Sequence, residues 1–203
     1  MSIDFGRRVV LLRIPVVFGF AAIAAACTKE KFEYTDITGV EIGSDFQLTD
    51  HSGHPRSLSD FRGKVVAVFF GFTHCPDVCP TTLAELSQTV KQLGERGDEI
   101  QVLFITVDPA RDTQKVLAQY VPAFDPRFVG LYGDLATTAK VAAAYKVFFA
   151  PQPPNASGNY TVDHSAAIFV IDRRGRPRLV MGARRTVSGM VHDIKLLLQG
   201  QSY

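Results

Sequence analysis

Two apolar runs limit what this chain can become. Residues 65–70 read VVAVFF and residues 101–107 read QVLFITV, almost without polar alternation. A strand without a polar face has to be covered on both sides. Between the runs, Leu83, Leu86, Val90 and Leu93 recur at helical spacing. Gly94 and Gly97 mark the helix end, which is expected at about Arg96. Strand, helix, strand in that order implies a parallel pair joined by a right-handed crossover.

The flanks extend this pattern. Residues 46–50 (FQLTD) alternate and 51–55 (HSGHP) turn, as in a short hairpin. Downstream, helices are expected at 113–120 and 136–145, with a short apolar strand at 128–132 between them. Residues 151–159 (PQPPNASGN) read as a loop and 166–171 as a strand. The run 173–177 (RRGRP) turns the chain into a returning strand at 179–181. A last helix runs from Gly189 to about Leu198, capped by Thr186 or Ser188. The class is α/β. The order is that of a thioredoxin-like fold with an N-terminal β-hairpin extension and an insertion around 108–150.

The first residues belong to something else. Arg7, Arg8 and Arg13 precede a short apolar stretch at 14–26 (IPVVFGFAAIAAA), which ends in small residues before Cys27. A membrane span needs roughly 20 apolar residues. Positive flank, short apolar run and small-residue end are the parts of a secretory signal peptide. The Cys27 junction resembles the lipobox of bacterial lipoproteins, although Ala24 stands where Leu is usual. That resemblance implies cleavage after residue 26, lipidation of Cys27 and a membrane anchor. The expected organisation is a signal peptide at 1–26, a tether at 27–38 and one domain at 39–203. The domain then faces the periplasmic side of a bacterial envelope.

Composition excludes some functions. The chain is 46% hydrophobic and 21% charged, which is globular. Its net charge is +2 and no basic stripe stands out, so nucleic acid is not an expected partner. Three cysteines are too few for a disulfide framework. With Cys27 at the leader, Cys75 and Cys79 remain.

These two lie in Gly71-Phe72-Thr73-His74-Cys75-Pro76-Asp77-Val78-Cys79-Pro80, between a buried strand and a helix. In a first helical turn, positions i and i+4 share a face, with Cβ atoms roughly 5–6 Å apart. Such a pair can grip a metal ion or close a disulfide. Free N–H groups at a helix start favour the thiolate. Pro76 and Pro80 fit a helix that begins near Asp77, because first-turn N–H groups lack helical partners anyway.

The motif resembles the signature of the Sco/SenC family of copper proteins. Val107-Asp108-Pro109-Ala110-Arg111-Asp112-Thr113 resembles that family's second motif, and Tyr160-Thr161-Val162-Asp163-His164-Ser165-Ala166 its third. The resemblance spans about 39–198. It implies a thioredoxin-like domain that binds copper through Cys75, Cys79 and His164. It also implies a role in assembling the dinuclear copper centre of cytochrome c oxidase. The expected partners are the oxidase's copper-bearing subunit or another copper chaperone. Two sulfurs and an imidazole form a soft set suited to Cu(I). Cu(II) asks for further N or O ligands, and zinc for a fourth that the sequence does not offer.

Other residues receive lesser roles. Asp163 is a candidate to orient His164 by accepting its second N–H, or to act through the backbone. Asp108 supports the site as a strand-end turn residue. His74 is expected to point away from the sulfurs. His51 and His54 are expected in solvent and His192 at the surface. Tyr160 and the loop at 151–154 would form a lip toward a partner. Phe69, Phe70, Phe104 and Phe169 are expected in the core.

Two rival readings remain. The same cysteines could exchange disulfides with a partner, although dedicated oxidoreductases usually carry Cys-x-x-Cys. Val78-Cys79-Pro80-Thr81 also resembles the peroxiredoxin cysteine turn. That family has Thr three residues before its reactive Cys, where this chain has Pro76 or Phe72.

Overall fold

The computed structural model describes residues 1, 30–43 and 45–200. The leader and Cys27 lie outside the described residues. In chain order come β1 (Thr35–Asp36), β2 (Leu48–Asp50), β3 (Pro55–Arg56) and a 3-10 turn at Leu58–Phe61. Then follow β4 (Val65–Gly71), α1 (Val78–Gln92), a 3-10 turn at Gly94–Glu99 and β5 (Ile100–Thr106). Next are α2 (Gln114–Tyr120), β6 (Val129–Tyr132), α3 (Leu135–Ala144) and β7 (Phe149–Pro151). The chain ends with β8 (Val162–His164), β9 (Ile168–Ile171), β10 (Pro177–Met181) and α4 (Val187–Leu198).

Among the described residues, eight strands form one sheet in the order β1-β10-β9-β4-β5-β6-β2-β3. The two apolar runs lie at its centre as the parallel pair β4 and β5, in register from Val65↔Ile100 to Gly71↔Thr106. Every residue of both strands is buried. β6 continues the parallel section beside β5, and β9 flanks β4 antiparallel. Helix α1 packs on α4, and its apolar stripe of Leu83, Leu86 and Val90 is buried. It ends at Gln92, short of Arg96, because Gly94 takes a left-handed backbone (φ 59°) that turns the chain out. Phe70, Tyr145 and Phe169 interlock, with ring centroids 5.3–6.4 Å apart. Phe69, Phe70, Phe104 and Phe169 are all in the core as expected. Each such ring contributes about 2–3 kcal/mol of burial.

Two expectations need correction. The tether was expected to reach residue 38, yet β1 pairs with β10, Thr35 opposite Val180. The buried carboxylate of Asp193 on α4 accepts the N–H groups of Glu33 (2.9 Å) and Tyr34 (3.0 Å). Ile37 is buried and donates its N–H to Arg178 O at 2.8 Å. The domain therefore starts near Phe32. Backbone donors that find a buried carboxylate 160 residues away leave no local sequence signal. Asp193→Ala strips both N–H groups of their acceptor. It is expected to cost about 2 kcal/mol and to open residues 30–38 to limited proteolysis. A cleavage rate equal to the parent's would count against this docking.

The second correction concerns the flanks of the 151–159 loop, where no strand pair was expected; the loop itself holds from residue 152. β7 and β8 pair antiparallel as a separate two-stranded ribbon, with Phe149 opposite His164. His164 thus closes a ribbon strand before the chain re-enters the main sheet at Ile168.

Candidate metal centre

Strand β4 delivers the chain to the site. Beyond Gly71 the backbone tightens into a turn, with Cys75 N–H donating to Phe72 O at 3.2 Å. Asp77 is the residue before the first helical position, so Cys79 lies in the first turn of α1. Cys79 is fully buried and Cys75 half-buried, and both are free thiols. The Cys79 N–H points at Cys75 Sγ, 3.4 Å away. A helix-start donor without a helical acceptor thus faces sulfur.

His164 comes from the ribbon. Its Nε2 is 3.5 Å from Cys79 Sγ, and its Nδ1 is 3.1 Å from the Val162 carbonyl oxygen. A carbonyl can only accept, so Nδ1 carries the proton and Nε2 offers its lone pair toward the sulfur. Phe72 holds the ring edge-on, centroids 5.5 Å apart at 82°. The fold therefore brings together Cys75, Cys79 and His164.

The donor set fits a soft, low-coordinate cation. It is not pre-closed: among the described residues no three His, Cys, Asp or Glu side chains already surround a common point. Cys75 Sγ rests on the Cys79 N–H. Burial, opposed by the Phe72 backbone and reinforced by Cys75, pushes the Cys79 thiol far above its ordinary range. A metal has to displace that proton before Cys79 can bind.

Gly71 makes room for this sulfur. A Cβ there would lie 2.8 Å from Cys79 Sγ and 2.8 Å from the Phe104 ring. Sequence reading passed over Gly71 as a site residue. The available signal was a glycine ending an otherwise apolar strand beside a cysteine motif. Gly71→Ala is expected to destabilise the protein by about 1–3 kcal/mol through overpacking and to weaken copper binding. A chelator competition with parental affinity would refute the second part.

Comparison with known proteins places this geometry. The SCO1/SenC family model matches residues 34–199. The chain belongs to the SCO1/SenC family. It is 39% identical over 184 residues to the mitochondrial SCO2 homolog of Mus musculus, covering 87% of this chain and 72% of that protein. It spans only 50% of the bovine and of the human SCO2 homologs. The structure of Bradyrhizobium japonicum ScoI with copper bound superimposes at a TM-score of 0.70 with 42% identity, over 76% of this chain and 98% of that one. Yeast Sco1 with copper bound gives 0.74 and 31%, over 80% and 91%.

Around the SCO1/SenC motif, one residue that sequence reading left without a role does much of the holding. Asp112 is fully buried. Its carboxylate accepts Thr73 N–H (3.0 Å), Thr73 O–H (2.6 Å) and Thr106 O–H (2.6 Å). It fastens the loop before Cys75 to the end of β5. Nearby, Asp108 accepts Arg111 Nε at 2.5 Å and Tyr160 O–H at 2.8 Å. The Arg111 guanidinium stacks on the Tyr160 ring, 3.5 Å from its centroid, and donates to Tyr160 O at 2.8 Å. Asp108 is thus more than a turn residue. It ties the second motif to the strand that carries His164, without touching the imidazole. Tyr160 is fastened inward by the same contacts, so it is not a free lip.

Asp163 does not orient His164. It is exposed and accepts Gln152 Nε2 at 2.7 Å, while the imidazole Nδ1 faces the Val162 carbonyl. Strand alternation turns neighbouring side chains to opposite faces. His74 is half-exposed, with Nδ1 3.2 Å from Thr73 Oγ1 and 3.8 Å from Asp112 Oδ1. His54 is exposed as expected, but His51 is not simply solvated: its Nδ1 accepts Gly130 N–H at 3.0 Å. His192 is half-buried and its ring lies 2.8 Å from Asp193.

Proposed function

We propose that this chain is a copper metallochaperone of the bacterial cell envelope. It binds copper through Cys75, Cys79 and His164 and delivers it to, or prepares, the dinuclear copper centre of cytochrome c oxidase. The observation that carries the reading is the His164 Nε2 lone pair aimed at Cys79 Sγ from 3.5 Å, beside the second thiol. The copper-bound relatives at 31–42% identity support it. Residues 1–26 act as a signal peptide, and lipidated Cys27 anchors the domain on the periplasmic side. Among the described residues no helix is long and apolar enough to cross a membrane.

The residues divide the work. Cys79 yields its proton to solvent and becomes a buried thiolate donor. Half-exposed Cys75 is the sulfur that an acceptor's thiolate meets first. His164 completes the set from the ribbon and can be exchanged without disturbing the core. An acceptor replaces these donors one at a time, so copper is never released free.

A second reading, thiol–disulfide exchange with a partner's copper-site cysteines, draws on the two free thiols at i and i+4. One comparison separates the two. A copper carrier with His164→Ala loses transfer to an acceptor subunit, whereas a dithiol exchanger with the same change keeps its reductase activity. Cells lacking the chain should have oxidase short of copper, and added copper should relieve the defect. Normal oxidase copper in such membranes would defeat the delivery role.

A further inference from the structure

His164 is flanked by two arginine contacts. Arg111 fastens the chain before it, at Tyr160. The carbonyl of Ala166, two residues beyond it, meets Arg185, in the stretch between β10 and α4. The Arg185 side chain is only 4% exposed. A buried guanidinium is tolerated where its N–H groups find acceptors. Here Nε donates to Glu85 Oε2 at 2.8 Å. One terminal nitrogen donates to Ala166 O (3.3 Å) and Gly182 O (3.2 Å), and the other to Thr82 Oγ1.

These acceptors lie on the two segments that carry candidate ligands. Thr82 and Glu85 belong to α1, Thr82 three residues beyond Cys79. The Thr82 hydroxyl accepts from Arg185 and donates in turn to Val78 O at 2.7 Å, on the residue before Cys79. Ala166 lies between His164 and the start of β9. A guanidinium is planar and rigid, so acceptors on its different edges are held at fixed spacing. Arg185 therefore spaces the first turn of α1 from the segment that leaves the ribbon. Across that space Cys79 Sγ and His164 Nε2 face each other at 3.5 Å. A pair serving charge alone would need only Glu85. The bonds to Thr82 and Ala166 are the ones that reach the site.

We propose that Arg185 is a positioning residue for the metal centre, acting through Thr82 and Ala166 to set the separation of Cys79 from His164. The inference rests on those two residues as ligands.

Three changes in the full chain separate spacing from stability. Arg185→Lys keeps a charge for Glu85 and loses the fork. Competition against a chromogenic Cu(I) chelator should then show affinity reduced about tenfold or more, the usual range for a lost partner of a metal ligand. Thr82→Val removes one arm of the bridge, leaves the arginine, and should also weaken binding; it decides the matter if Arg185→Lys does not fold. Glu85→Gln removes the charge pair alone. It should lower the thermal midpoint of the metal-free protein and leave affinity within twofold of the parent. Combined with His164→Ala, Arg185→Lys should cost no further affinity, because the spacing it sets has lost its object. Parental affinity in both Arg185→Lys and Thr82→Val, a loss undiminished by His164→Ala, or losses that follow the midpoint alone across the three changes would each overturn the proposal. If His164→Ala by itself binds copper as the parent does, the ligand reading fails and takes this one with it. If His164→Ala weakens binding while Arg185→Lys and Thr82→Val do not, only the positioning role fails.

Discussion

Replacing His164 by Ala should weaken Cu(I) binding by two orders of magnitude or more, on the order of 3 kcal/mol, while the domain stays folded. The imidazole is on the ribbon, and its ring touches Phe72 only edge-on. Its loss removes a nitrogen donor and little packing. Cys79→Ser should do at least as much damage, because it replaces a soft donor buried in the core with a hard one. Parental binding should also depend on pH. The Cys79 thiol is held far above its ordinary range, so it is protonated at neutral pH and must lose that proton to bind. Protons compete with the metal, so apparent affinity rises with pH, by about tenfold per unit for each proton displaced. Chelator competition from about pH 6 to 8 measures the slope. A flat profile would mean that Cys79 does not bind as a thiolate.

Asp112→Ala should be the most destabilising single change around the site. It removes the carboxylate that accepts Thr73 N–H and two threonine hydroxyls, at a position that is itself fully buried. Each loss of this kind costs about 1–3 kcal/mol, so a total of about 3–5 kcal/mol is expected. A domain of this size should then melt about 10 °C or more below the parent. Asp112→Asn should recover much of this, since an amide oxygen can still accept and the threonine hydroxyls can reorient. A midpoint within two degrees of the parent for Asp112→Ala would show that the loop before Cys75 is held by other contacts.

The legible and illegible parts of this chain differ in physical kind. β4 and β5 could be read because a strand buried on both faces needs an unbroken apolar run, and the helix behind Cys79 because its stripe is regular. The cysteine pair could be placed at a helix mouth because Pro76 and Pro80 allow little else. β7 and β8 could not be read. They are three-residue strands, one of them ending in a proline, and their pairing is fixed by contacts across the turn at 152–161. β1 was invisible for the same reason: Thr35 and Asp36 are exposed, and their partners are on β10. Asp112 lay in a motif already singled out, yet a sequence does not say which of two aspartates faces inward. Asp108 and Asp112 both do, toward different partners. For Asp163 the alternation rule was the better guide, and it put the carboxylate on the far side from the imidazole.

The ribbon has a kinetic consequence. Two of the proposed donors, Cys75 and Cys79, are joined to the eight-stranded sheet through Gly71 and the first turn of α1. The proposed third donor sits on a separate pair of short strands, held to the body by Arg111 and Asp108 on Tyr160 and by the buried Val162 side chain. Opening that pair breaks a handful of contacts, far fewer than unfolding the body. The lifetime of the loaded state is then a property of the clasp and not of the vault. Loosening Arg111 should shorten that lifetime long before it lowers the melting point.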